Sequence, residues 1–202
     1  MKFLITIIVL ALLAGFYVLN AGMYNVAATD KHLASVDKFI VWIRENSIKA
    51  HAADLEVPVL DSEDMLTNGA VHYDAMCTEC HLAPGKKETE MAQGIYPKAT
   101  VFHEIEPVKD AAENLAQSKK YFWVMKQGIK MTALPAWGTT HVDQSLWAMT
   151  AFVQKLNELS TDEYEMYASS SDGHHDHGDH GHGDDSHDDH GQSDDGHDGH
   201  DH

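Results

Sequence analysis

Only two cysteines stand among the 202 residues, at positions 77 and 80, so a framework of structural disulfides is excluded. Cations are scarce as well. Lys and Arg total 14 against 32 Asp and Glu, giving a formal net charge of −18. That balance excludes nucleic acid as a partner, because phosphate contacts need Lys and Arg. No charged residue lies between Lys2 and Asp30, and no Lys or Arg lies in residues 172–202. Alternating Val/Ile/Thr runs long enough for a strand are also missing. The chain therefore points to an all-α protein with a membrane segment at one end and an acidic appendage at the other.

The uncharged N-terminal run extends from Phe3 to Leu19, 17 residues, and reaches Val26 if Asn20, Gly22 and Asn25 are tolerated. A signal-peptide core is about 7–15 residues, whereas a spanning helix needs about 20. Residues 1–26 thus read as a retained anchor, with a cleaved signal ending near Val26-Ala27-Ala28 as the alternative. Lys2 ahead of the run places the N-terminus in the cytoplasm and the remainder across the inner membrane, facing the periplasm.

Residues 27–60 read as a juxtamembrane helix and linker. Leu33, Val36, Ile40 and Ile43 repeat at helical spacing over about 30–54, with Thr29 or Asp30 as the cap. This stripe is expected to pack on the following domain; the alternative is a docking surface for a partner membrane subunit. A compact domain is expected over 61–168. Its first helix starts at Asp61 or Ser62 and leads into Cys77, another covers 109–127, and an amphipathic helix starts near Asp143.

Cys77-Thr78-Glu79-Cys80-His81 is a site for covalent attachment of one haem c. Both thiols form thioethers with the porphyrin, and the following His binds iron through an imidazole nitrogen. A thioredoxin-like pair needs a βαβ context that is missing here. A structural zinc site needs four ligands, and His72, His103 and His141 form no paired motif. The loop Gly128 to Gly138 lies about 50 residues after His81 and just before the last helix. Met131 is the thioether in that loop and the candidate sixth ligand to the haem iron.

These features resemble class I cytochromes c over residues 61–160. From Gly22 to about Tyr167 the chain is similar to the membrane-anchored single-haem cytochrome c proteins of Gram-negative bacteria. The stretches carrying the likeness are Tyr24 to Ala28, Gly69 to Tyr73, Cys80 to Gly85, Gly94 to Pro97, the loop 128–138, and Leu146 to Ala148 with Ala151-Phe152. The resemblance implies a class I cytochrome c fold around one covalently bound haem. It implies a single-electron carrier, not an enzyme, serving redox partner proteins among the membrane respiratory complexes. In such proteins the loop commonly reads Met-Pro-Ala-aromatic; here Leu134 precedes Pro135 and has no donor atom. The resemblance also implies that Gly69 and Tyr73 meet Trp147 or Phe152, and that the Pro97 carbonyl accepts a hydrogen bond from His81.

Residues 169–202 read as a disordered tail, with 11 Asp and 10 His in the last 31 residues. His174, His175, His177, His187 and His190 are its candidate ligands for zinc, copper or nickel. Two further functions compete with electron transfer. One is a haem-based sensor or ligand-binding protein with an open sixth site. The other is a periplasmic transition-metal-handling protein built on the tail.

Overall fold

The computed structural model describes residues 1–170, and every regular element among them is helical. The α-helices are α1 (Lys2–Asn20), α2 (Ala34–Ala52), α3 (Glu63–Met76), α4 (Thr78–His81), α5 (Glu90–Gly94), α6 (Ala111–Gln127), α7 (Asp143–Lys155) and α8 (Thr161–Ser169). Helix α1 has a mean hydropathy of 2.5 and no buried residue. Its 19 residues span about 29 Å, close to the roughly 30 Å of a bilayer's hydrocarbon core.

The domain core forms where α3 crosses α7. Ser62 starts α3 by accepting a hydrogen bond from Met65 N at 3.3 Å. Gly69 then permits the close crossing: a Cβ there would lie 2.1 Å from the Ala148 carbonyl oxygen and 2.8 Å from Phe152 Cβ. One turn on, Tyr73 packs against Phe152 with ring centroids 5.7 Å apart. Its hydroxyl donates to the Leu82 carbonyl at 2.7 Å, which satisfies the one polar atom of a fully buried ring. Helix α6, capped by Asp110, covers the other side of α7 through Phe122 stacked on Trp147 at 3.8 Å. Phe152, rather than Trp147, is therefore the partner of Tyr73.

Helix α8 closes the fold and has no counterpart in the sequence reading. Ser160 and Glu163 form a capping box at its start, and Tyr164 is buried against α3 with its hydroxyl donating to Asp74 at 2.6 Å.

Helix α2 departs from expectation in two ways. It starts after Leu33 with no side-chain cap. Asp30 is taken up in a turn, its N–H donating to Ala27 at 3.0 Å. His32 is held by the Tyr24 hydroxyl at 2.8 Å and by the Tyr96 hydroxyl, which accepts from His32 N at 3.2 Å. The apolar stripe also does not pack inward: Leu33, Val36, Ile40 and Ile43 are 74%, 37%, 44% and 47% exposed. What faces α6 is the other side, with Ile48 and Ala52 buried and Glu45 paired to Lys120 at 2.5 Å.

Candidate haem site

The last turn of α3 delivers the motif as one helical corner. Cys77 N donates to Tyr73 O at 2.9 Å, and Cys80 N and His81 N both donate to Cys77 O, at 3.1 and 2.8 Å. Leu82, with φ +58°, ends the turn. Both cysteines are free. Burial, with Cys80 alongside, pushes the Cys77 thiol up to about 12; burial and the neighbouring Glu79 carboxylate raise that of Cys80. Each is a neutral thiol near pH 7.

His81 Nδ1 lies 2.8 Å from the Thr100 carbonyl oxygen. A carbonyl only accepts, so Nδ1 carries the proton and Nε2 keeps its lone pair. Burial holds the imidazole below its ordinary pKa, opposed by the Thr100 hydrogen bond. The ring stacks on Phe102 at 4.7 Å, and Phe102 meets the edges of Tyr121 and Tyr73 at 5.5 and 6.5 Å. The imidazole is thus fixed in tautomer and plane.

The acceptor corrects the expectation for Pro97. Chain next to Pro97 is drawn to α5, where Lys98 Nζ donates to the carbonyls of Ala92 at 2.6 Å and Gln93 at 3.2 Å. Only three residues beyond Pro97 does a backbone carbonyl reach His81. Thr100 left no trace in the sequence because any residue type supplies a carbonyl. Phe102 and Tyr121 are visible as aromatics, but nothing in their spacing ties them to His81.

The loop after α6 doubles back on itself at Gly128, whose φ is +65°; a Cβ there would lie 2.8 Å from Pro135 C. Thr132 N donates to Ile129 O at 3.2 Å, and Leu134 N donates to Thr132 Oγ1 at 3.2 Å. This tight turn sets Met131 at its tip, with φ +60° and 99% of its surface exposed. Met131 is therefore not among the residues the fold brings together with His81. Leu134 is half-buried, and Met125 of α6 packs against both core clusters.

His72 and His141 approach each other, ring centroids 5.6 Å apart. Among the described residues, however, no group of three or more metal-type side chains gathers. The tail histidines 174, 175, 177, 187 and 190 lie outside the described residues. Two unoxidised thiols on one helical corner, followed by an imidazole with its outer nitrogen unprotonated, fit the donor set that a covalent haem requires.

Residues 64–153 match the family model described as cytochrome C oxidase, cbb3-type, subunit III. No curated protein and no solved structure matches the chain. With the all-helical fold and the Cys77-to-His81 corner, that match makes residues 64–153 a class I c-type cytochrome domain, a haem-based electron carrier whose family implies covalent haem c.

Proposed function

We propose that this protein is a membrane-tethered carrier of single electrons, held to the inner membrane by α1 with its domain in the periplasm. The arrangement of Cys77, Cys80 and His81 about one helical corner, with His81 Nδ1 bonded to Thr100, carries the reading. Cys77 and Cys80 would hold haem through thioethers, and His81 Nε2 would meet the iron. When bound, haem supplies a one-electron ferric/ferrous couple. Thr100 keeps the proton on Nδ1, and Phe102 holds the ring plane, so His81 would present Nε2 to the iron in one orientation. The family's description as an oxidase subunit supports redox partners among membrane respiratory complexes. The His/Asp tail is proposed to bind zinc, copper or nickel beside this function. A potentiometric titration of the membrane fraction tests the carrier reading: one reversible one-electron transition is expected. An iron that does not cycle between ferric and ferrous would overturn it.

One observation favours a second reading, a haem sensor. Met131 is 99% exposed and Leu134 has no donor atom, so the sixth position would be left to a small exogenous ligand. The ferric spectrum divides the two. Met131 ligation gives a low-spin spectrum with a weak sulfur-to-iron band that Met131→Ala removes. An open site gives a high-spin spectrum indifferent to that substitution.

A further inference from the structure

Helix α2 is amphipathic in the wrong sense for a domain helix. Glu45 and the small residue Ala52 are among those that face the protein. Glu45 pairs with Lys120 and Arg44, and Ile48 and Ala52 fill the contact with α6. On the opposite side Val36, Phe39, Ile40, Trp42 and Ile43 are 37%, 58%, 44%, 63% and 47% exposed. Phe39 and Trp42 stack on each other at 6.1 Å, so they form one aromatic surface. At 100° per residue, Asp37 and Lys38 fall outside this face, which leaves it without a charge from Val36 to Ile43.

Three observations say what covers it. The first is continuity with the span. Only residues 21–33 separate α1 from α2, and the hydrogen bond between Tyr24 and His32 folds that link back on itself. The apolar face thus begins four residues beyond His32, which is pinned to Tyr24, itself four residues from the end of α1. The second is charge. Residues 31–52 carry Lys31, Lys38, Arg44 and Lys49 against Asp37 and Glu45, a net +2 in a chain of net −18. Lys38 and Lys49, eleven residues apart, run along one flank, where long side chains reach lipid phosphates. The third is side-chain type: Trp and Phe beside aliphatic residues suit the headgroup boundary of a bilayer.

We infer that the Val36–Ile43 face of α2 lies in the outer boundary of the same membrane that α1 crosses, seating the haem domain at the bilayer surface in a fixed attitude. The inference rests on the anchor reading above. Lateral encounter with membrane-bound redox partners then replaces diffusion through the compartment.

The test uses the full-length, haem-loaded protein in vesicles of phosphatidylcholine with a minority of phosphatidylglycerol, doped with a diazirine-acyl phosphatidylcholine. After irradiation and trypsin digestion, lipid adducts are expected on the peptide Phe39–Arg44 as well as on the α1 peptide. In the double variant Phe39→Asp, Ile43→Asp, adducts on residues 39–44 fall by about tenfold or more while those on α1 persist, since each apolar group withdrawn weakens seating by at least that factor. Both positions are exposed, so the fold and the haem spectrum are retained. Adducts on α1 alone would overturn the inference and leave the anchor reading standing. Adducts on neither peptide would overturn both. In a parallel arm Trp42→benzoylphenylalanine protein is irradiated in vesicles without the diazirine lipid. Protein-to-protein cross-links from position 42, with no lipid adducts on residues 39–44 in the first arm, would assign the face to a second copy or a partner subunit and overturn the inference equally.

Discussion

Replacing Gly69 with alanine probes the contact on which the whole domain depends. In an isolated helix the change is favourable by about 1 kcal/mol, because alanine loses less backbone entropy than glycine. Here the added Cβ would sit 2.1 Å from the Ala148 oxygen, 2.6 Å from its carbonyl carbon and 2.8 Å from Phe152 Cβ. The first two are backbone atoms of α7 and cannot rotate away. Helices α3 and α7 must separate, which also loosens Tyr73 against Phe152. Overpacking of this kind costs about 1–3 kcal/mol, and backbone on the far side places it at or beyond the upper end. The steric loss exceeds the propensity gain, leaving a net destabilisation of about 2 kcal/mol or more. Urea unfolding of the haem-loaded protein should show the midpoint lowered by roughly 1 M with the slope unchanged. Gly94→Ala is the control, since nothing lies within 4 Å of its Cβ position; it should be neutral or slightly stabilising. A Gly69→Ala protein as stable as the parent would refute the close crossing of α3 and α7.

The Asp74 cluster predicts a pH dependence. Burial works to raise the Asp74 carboxyl, but hydrogen bonds from Lys86 and Tyr164 outweigh it and hold its pKa below the usual range. A depressed carboxylate stabilises the fold above its unfolded pKa, about 3.9, and that contribution is lost as pH falls through the lowered folded value. Tyr164→Phe should therefore cost about 1 kcal/mol near pH 7, a figure discounted because the Asp74 side chain is 38% exposed. Thermal melts of parent and variant should converge as pH drops through that window, and parallel curves would refute the assignment. For the tail, isothermal titration with zinc should show uptake by the full chain beyond that of a chain ending at Ser169, lost as pH falls through about 6.5, where imidazole protonates. Equal uptake by the two would remove the tail from the account.

The legible parts of the fold were those with a local signal. Ser62 announced α3, the helix expected over 109–127 matches α6, and the apolar period from Leu146 to Leu156 announced α7. The Ser160-x-x-Glu163 spacing carried an equally plain capping signature for α8, which composition near the acidic tail obscured. Periodicity marked the apolar face of α2 but could not say what lies against it, and the face turned out to point away from the domain. At the site, Cys77, Cys80 and His81 were readable because covalent haem attachment needs those residue types at that spacing. The Thr100 carbonyl was not, because backbone acceptors have no sequence identity. Met131 looked like a ligand by distance from His81. The turn closed by Ile129, Thr132 and Leu134 placed it at a solvent-exposed tip, which residue counting does not register.

The central claim is that haem is bonded to this chain through Cys77 and Cys80. Full-length protein from membranes is denatured, separated by size and assayed for haem-dependent peroxidase colour, beside Cys77→Ala and Cys80→Ala. Haem colour should travel with the denatured parent chain and resist acid-acetone extraction, and each variant should carry much less or none. Complete extraction of the colour from the parent protein would contradict the account.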